Sequence, residues 1–467
     1  MKKKSLLIGM AALIFPMTMM GQYTIYPVPH TQVAGNGKVS FSNTVNVVCD
    51  NGIDEVTRNR VKSIFAAHNV SVNFNDAAST TESNVYLGVN GSNGQGNAVA
   101  AQLNLSTDVL TKEGKFDRHI VSLTDGGNGV AQLLVLGENT DATFYGLASL
   151  EQMLDNGIAN LPTVTINDYA DLKERGVIEG FYGKPYAGEV RQDLLRFMMR
   201  YKMNCYVYGP KSDTYHSGKW KEAYPTTLTQ SQKEAGFSSQ QDLKDFTSVA
   251  HDTKVSVVWA IHPGNAIMYS NTVVNDIMKK FGYMYDLGFR QFAVFADDVA
   301  VPSDDATMKV TADNIGAIQK AIEQKWNVAG ANPTDTVKPL RFTPQIYCRG
   351  FAGSDDQYNR FFKALSTMPS NVTVYYTGGG VWSVPNNGDL NTLQTQLGRQ
   401  AIWWWNYPCN DNGTGPSEIY PLDMKNNFID MPNVGNNSTI ADELSASNQG
   451  ILCNPMEQGE ASKTAIF

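Results

Sequence analysis

The sequence predicts an α/β protein, a (β/α)8 TIM barrel preceded by a smaller α+β domain. Three observations predict it. A chain of 467 residues is too long for one ordinary domain and long enough for a large barrel with an accessory unit. After Asp171 the texture changes to a repeated alternation of apolar strand, polar loop and amphipathic helix, the pattern of βα units around a parallel sheet. The strands of that alternation number eight, the count that closes a barrel.

The chain opens with Lys2, Lys3 and Lys4, an apolar stretch from Leu6 to Met20, and polar residues from Gly21 and Gln22 on. Residues 1–21 therefore read as an export signal, placing the mature protein outside the cytoplasm, secreted or periplasmic. An uncleaved membrane anchor is the alternative, but the stretch is shorter than the roughly 20 residues a spanning helix needs. Stable membrane insertion after cleavage is not expected.

Residues 22–168 hold short β-type runs separated by Gly, Asn and Ser turns. Examples are Val85-Tyr86-Leu87-Gly88-Val89 and Gln132-Leu133-Leu134-Val135-Leu136. Helical patches interrupt them at 55–68 and 142–154, the second placing Phe144, Leu147, Leu150 and Leu154 on one face. The carboxylates and histidines of this domain gather into no motif, so no chemistry is assigned to it.

The barrel occupies 171–467. Its strands are predicted at 176–180, 204–208, 255–261, 291–295, 341–347, 372–376, 401–405 and 450–453. Stripes such as Val190, Leu194, Phe197, Met198 and Tyr201, or Ile315, Ile318, Ile322 and Trp326, mark the helices between them. So little chain follows the last strand that the final barrel helix is expected to be short or missing, as in a fragment of a longer protein.

Composition narrows the partners. The net charge of −8 leaves no basic stripe for phosphates, so nucleic acid is excluded as a partner, and neutral sugars fit an acidic surface better than polyanionic glycans. Five widely spaced cysteines form no CxxC and cannot all pair internally. The six histidines are scattered, so neither a metal site nor a cofactor is expected.

In such barrels the reacting groups stand where strands end. That rule selects Gly180, Tyr182 and Gly183 after the first strand, Lys211 and Asp213 after the second, and His262 after the third. Asp297 and Asp298 follow the fourth, Tyr347 ends the fifth, and Thr377 follows the sixth. Asn406 and Asp411 follow the seventh, and Asn454 and Glu457 the eighth. Of Trp403, Trp404 and Trp405, alternate rings must face the barrel interior, where a Trp suits the apolar face of a sugar.

The pair Asp297-Asp298 carries the most chemistry, because adjacent acids at the end of a buried strand are costly unless used. In a continuing strand they would point to opposite faces, so the chain is expected to turn there and bring both to the mouth. Held close, they resist ionising together, which divides them into one anion and one acid. The bland alternative makes one of them a cap for the next helix. Read singly, Lys211 is a surface cation, Asn406 and Asn454 are caps, and His262 is a hydrogen-bonded wall residue. Asp304-Asp305 and Asp355-Asp356 read as solvated turns or helix caps.

Together, Gly176-Val177-Ile178-Glu179-Gly180-Phe181-Tyr182-Gly183, Tyr208-Gly209-Pro210-Lys211 with Tyr215-His216, Asp297-Asp298, Trp404-Trp405-Asn406-Tyr407-Pro408 with Asn410-Asp411, and Asn454-Pro455-Met456-Glu457 form an ordered series. From Gly176 onward this series resembles glycoside hydrolase family 84, the O-GlcNAcases and hyaluronidase-like β-N-acetylglucosaminidases. The first domain is similar to the α+β domain that bacterial members carry before the barrel.

The resemblance implies removal of β-linked N-acetylglucosamine from glycans or glycoproteins by a retaining mechanism. In it the substrate's own acetamido oxygen attacks the anomeric carbon to give an oxazoline, an exception to the two-carboxylate scheme. It implies that Asp297 polarises the acetamido group and that Asp298 is the acid, then the base. Tyr347 would bond near the forming oxazoline, and Thr377 and Trp404 would shape the acetamido pocket. Lys211, Gly180, Asn406, Asp411 and Asn454 would hold sugar hydroxyls or assist positioning.

Departures from the family pattern are Tyr186 for a Trp, Ser212 and Thr214 for an Asp and a Pro, and Ala296 for an aromatic. Two other readings stay open: a conventional glycosidase pairing Asp298 with Glu179 or Glu457, and a silent sugar-binding protein on the same scaffold.

Overall fold

The computed structural model describes residues 23–411 and 440–466. The export signal predicted at 1–21 lies outside the described residues. Among the described residues, no helix is long and apolar enough to cross a membrane.

The first domain is a seven-stranded mixed sheet. Its strands are β1 (Thr31–Val39), β2 (Thr44–Cys49), β3 (Ser71–Phe74), β4 (Ser83–Val89), β5 (Phe116–Asp125), β6 (Ala131–Gly137) and β7 (Leu161–Ala170), in the order β1-β7-β5-β6-β4-β2-β3. The alternating apolar residues of β2, β4 and β6 (Val45, Val47, Val85, Leu133, Val135) pack on Phe65, Leu147 and Leu150 of the helices Glu55–Ala66 and Thr140–Met153. Both helices lie within two residues of the bounds predicted. A third helix, Gln95–Gln102, is not evident in the sequence, because Gly94, Gly96 and Asn97 read as a turn; the buried Asp50 carboxylate, accepting from the Gly96 N–H at 3.0 Å, anchors its first turn.

Eight parallel strands then close a barrel in sequence order: β8 (Glu174–Glu179), β9 (Cys205–Tyr208), β10 (Ser256–Ile261), β11 (Phe292–Phe295), β12 (Arg341–Thr343), β13 (Thr373–Tyr376), β14 (Ile402–Trp405) and β15 (Gly450–Cys453), with β15 pairing back to β8. All eight predicted strands are present. β12 stops at Thr343 instead of reaching Tyr347, and Pro344, which has no N–H for the ladder, is where it stops. The helices Gly188–Arg200 and Asp305–Trp326 carry the two predicted stripes, and Gly459–Ile466 follows β15.

Strand alternation sorts side chains into two cores. Ile178, Val207, Phe295, Tyr375, Trp404 and Leu452 fill the barrel, while Val177, Tyr206, Val294, Tyr376, Trp403 and Trp405 face the helices.

Glu179 belongs to the outward set. It is fully buried, forked by Arg191 at 2.8 and 2.9 Å, and accepts from the Tyr206 hydroxyl at 2.6 Å. Removing one partner of such a pair leaves an uncompensated buried charge. Arg191→Met is expected to cost about 3–5 kcal/mol of stability, read as a lowered urea midpoint. A midpoint within error of the parent would show that Glu179 is solvated or protonated in the fold.

The first domain meets the barrel at the starts of its first three strands. Arg175 pairs with Asp117 at 2.6 Å, Lys202 with Asp168 at 2.7 Å, and Lys254 with Asp54 and Asp141 at 2.5 and 2.6 Å. The carboxyl ends of the strands, where barrel sites form, lie at the other face.

Candidate active site

The inward register of six of the eight strands, continued by two or four residues past the barrel core, delivers the site. Ile178 leads to Gly180, Val207 to Lys211, Phe295 to Asp297, Tyr375 to Thr377, Trp404 to Asn406 and Leu452 to Asn454. All six line one pocket of about 270 Å3. That volume lies just under the usual range for drug-sized ligands and suits a single sugar ring.

Asp297 continues the inward alternation of β11. Asp298 would face outward in a continued strand, but its φ of +56° takes the chain into the left-handed region and both acids line the pocket. Asp tolerates that region better than most residues. The predicted turn is therefore present. Neither acid caps the next helix, which starts at Asp305 with Asp304 as its cap; Ser354 caps the helix beginning at Asp355.

Each acid has its own setting. Asp297 is buried and ion-paired through Oδ2 to Lys211, which is itself buried, so Lys211 is no surface cation. The other oxygen, Oδ1, is buried without a protein partner. His262, the wall residue, donates from Nε2 to the Asp297 carbonyl at 2.8 Å and holds the turn from behind. Asp298 accepts from two phenols, Tyr182 at 2.8 Å on Oδ2 and Tyr347 at 2.8 Å on Oδ1. Burial, and after it the Asp298 charge, pushes both phenols up, so they stay protonated donors.

Burial also pushes the Asp297 carboxyl up, but the Lys211 ammonium and the His262 ring outweigh it and hold the group below its ordinary value. A depressed carboxyl stays ionised until pH falls through its own pKa, so a function needing the Asp297 anion is lost only below the ordinary carboxylate range. Replacing Lys211 with Met removes the main attraction and raises that pKa. The acid limb of kcat/KM is expected to move to higher pH, and an unmoved limb would mean that another group sets it.

Opposite the acids, the amide side chains are linked. Asn454 donates from Nδ2 to Asn406 Oδ1 at 2.8 Å, Trp404 Nε1 donates to the same oxygen at 2.8 Å, and Asn406 donates to the Val381 carbonyl at 2.7 Å. Asn454 Oδ1 accepts from the Gly180 N–H at 3.1 Å. These two Asn residues brace the pocket and cap no helix. Gly180 is required here, because a Cβ would stand 2.5 Å from the Trp404 ring. Asp411 accepts from the Tyr182 N–H at 2.6 Å and from Cys409 Sγ at 3.0 Å.

The structure thus brings Gly180, Tyr182, Lys211, Asp297, Asp298, Tyr347, Thr377, Trp404, Asn406, Asp411 and Asn454 to one pocket. Other strand-end residues stay out of it. Asp213 is buried in the helix layer, accepting from the Tyr208 and Tyr224 hydroxyls at 2.6 Å each, and Glu457 accepts from the Lys184 N–H at 3.2 Å. Glu179 is consumed by Arg191 and Tyr206, so neither proposed glutamate partner of Asp298 lines the pocket. Sequence reasoning missed Thr343, Phe351, Val381 and Trp382, which line it as well. The signal for the last two was the run Gly378-Gly379-Gly380 directly after Thr377, a loop start followed by two apolar residues.

Among known proteins, the model of the beta-N-acetylglucosaminidase family matches residues 175–467, and that of glycosyl hydrolase family 20, domain 2, matches residues 22–169. The chain is 26% identical over 295 residues to the Protein O-GlcNAcase of Mus musculus and of Rattus norvegicus, covering 62% of this chain and 29% of each relative. It therefore spans less than a third of the length of those curated relatives. The solved structure of CpGH84D is similar with a TM-score of 0.74 at 29% identity, over 96% of this chain and 68% of that one. That of CpGH84B is similar with a TM-score of 0.73 at 25% identity, over 95% and 70%. With the barrel, the paired acids and the family model in agreement, the chain belongs to the beta-N-acetylglucosaminidase family, glycoside hydrolase family 84.

Proposed function

We propose that this chain hydrolyses β-linked N-acetylglucosamine with retention, using the acetamido group of the substrate as the nucleophile. The observation that carries the reading is Asp297 Oδ1. A buried carboxylate oxygen without a donor is costly, and a ligand N–H in the pocket supplies one. The acetamido N–H does so, which turns its carbonyl oxygen toward C1. Among the described residues, the pocket holds one carboxylate besides the two adjacent acids, Asp411, which is bound to the backbone of Tyr182, the residue whose hydroxyl holds Asp298. A nucleophile or base on the far side of the sugar is then best supplied by the substrate itself.

In the first step the acetamido oxygen bonds to C1 as the bond from C1 to the glycosidic oxygen breaks, and Asp298 gives that oxygen its proton. The Asp297 anion, kept ionised by Lys211, offsets the positive charge that grows on the oxazoline ring. Asp298 then takes a proton from water as the water oxygen attacks C1. The oxazoline reopens, and N-acetylglucosamine leaves with its β configuration. Tyr182 and Tyr347 hold Asp298 in place through both steps, Thr377 and Trp404 border the acetamido group, and Asn406, Asp411 and Asn454 meet the ring hydroxyls.

The test is release of 4-nitrophenol from the aryl N-acetyl-β-glucosaminide beside the matching β-glucoside. Turnover of only the acetamido sugar is expected. Comparable turnover of the glucoside would replace substrate assistance with a protein nucleophile, and turnover of neither would leave a sugar-binding protein. The Lys-rich start and apolar stretch before Gly21 support export, with the substrates outside the cytoplasm. A mature N-terminus near Gly21 in the secreted protein checks this.

A further inference from the structure

We infer that Trp382, with Phe351 and Tyr182, builds a leaving-group subsite that selects substrates whose N-acetylglucosamine is carried by a second, neutral pyranose. This rests on the hydrolytic reading above and names the substrate class for it.

The direction in which the leaving group departs follows from the acid. Asp298 must reach the glycosidic oxygen, so whatever that oxygen carries leaves the pocket beside Asp298. The groups around it are aromatic. Tyr182 and Tyr347 bond its two oxygens, and Phe351 packs on Tyr347 with ring centroids 4.8 Å apart. Tyr182, Phe351 and Trp382 all line the pocket yet remain 49%, 37% and 38% exposed, unusual for large apolar rings unless something covers them.

The rim is built to hold still. The Arg349 and Gly350 N–H groups donate to the Gly378 and Gly379 carbonyls at 2.8 and 2.9 Å, which ties the turn Arg349–Phe351 to the loop that carries Trp382. Within that loop the Gly379 N–H donates to Asp389, the Gly380 N–H to Ser383 Oγ, the Gly380 carbonyl accepts from Thr377, and the Val381 carbonyl accepts from Asn406. Phe351 and Trp382 therefore stand on one braced rim, so little ordering entropy is lost when a ligand arrives.

The same bonds decide the class of ligand. An extended peptide gains affinity by pairing with free backbone groups, and the backbone groups named above are already used. A pyranose needs none. It presents an apolar C–H face to an aromatic ring and keeps its hydroxyls in water. The remaining carboxylate on the rim, Asp411, disfavours a uronate or a sialic acid, so the second sugar is neutral.

The test compares kcat/KM for three substrates of the whole chain: N-acetyl-β-glucosaminyl fluoride, whose leaving group has no ring; N-acetyl-β-glucosaminyl-(1→3)-galactose; and a serine peptide bearing β-linked N-acetylglucosamine. The disaccharide is expected to exceed the peptide by about tenfold, the scale set by covering one apolar ring face. Trp382→Ala is expected to lower the disaccharide-to-fluoride ratio by a similar factor, and Trp382→Tyr to restore it. A peptide turned over as well as the disaccharide, or a Trp382→Ala loss shared equally by the fluoride, would overturn the inference while leaving the hydrolase reading intact. Failure of the parent chain on all three would instead sink the hydrolase reading.

Discussion

Replacing Asp298 with Asn is expected to lower kcat/KM for a disaccharide by about 10²–10⁴-fold, the usual worth of a positioned general acid. A 2,4-dinitrophenyl glycoside should lose far less in the first step, since its leaving group departs without a proton. The geometry supports the division. Asp298 is held by two phenols that burial and its own charge keep protonated, so the carboxyl is fixed while remaining open to the pocket. The asparagine keeps the shape and can accept from one of the tyrosines through its amide oxygen, but it has no acidic proton to give. Opening of the oxazoline by water also needs Asp298 as base, so an activated substrate should show a rapid release of phenol followed by a slow steady rate. Equal losses for good and poor leaving groups would remove Asp298 from proton transfer.

Asp297→Asn is expected to reduce kcat by about 10²–10³-fold on every substrate, because an oriented charge beside a developing cation is lost whatever the leaving group. Here the lack of leaving-group dependence is the signature. The change also leaves the buried Lys211 ammonium facing an amide, which destabilises the fold for reasons unrelated to catalysis. The double variant Lys211→Met, Asp297→Asn separates the two effects, since it removes both members of the pair. Its urea midpoint should recover toward the parent while kcat stays low. Recovery of kcat along with the midpoint would assign Asp297 a purely structural part.

Asp297 and Asp298 are legible in the sequence because their placement depends only on a strand, its two-residue alternation and the rule that barrel sites form at strand ends. The same alternation carries Gly180, Lys211, Thr377, Asn406 and Asn454 into the pocket, each on the inward register of its strand. Local chemistry also announces the turn at Asp298, since two acids cannot share one buried strand end while facing opposite ways. Tyr347 reaches the pocket by another route than predicted, from an irregular segment four residues past the end of β12.

What the sequence by itself determined is therefore the periodic part: the two domains, the eight strands, and the side chains placed within a few residues of their ends. The tertiary structure alone decided which polar groups are spent elsewhere and which loops meet. Glu179 and Asp213 stand near strand ends like the site residues, yet one is bound by Arg191 and the other by two tyrosines in the helix layer. Phe351 and Trp382 lie 31 positions apart in loops without period, joined only through bonds from Arg349 and Gly350 to Gly378 and Gly379. The physical reason is that alternation along a strand is a property of the local backbone, whereas the partner of a buried charge and the contact between two loops are set by the closure of the whole barrel.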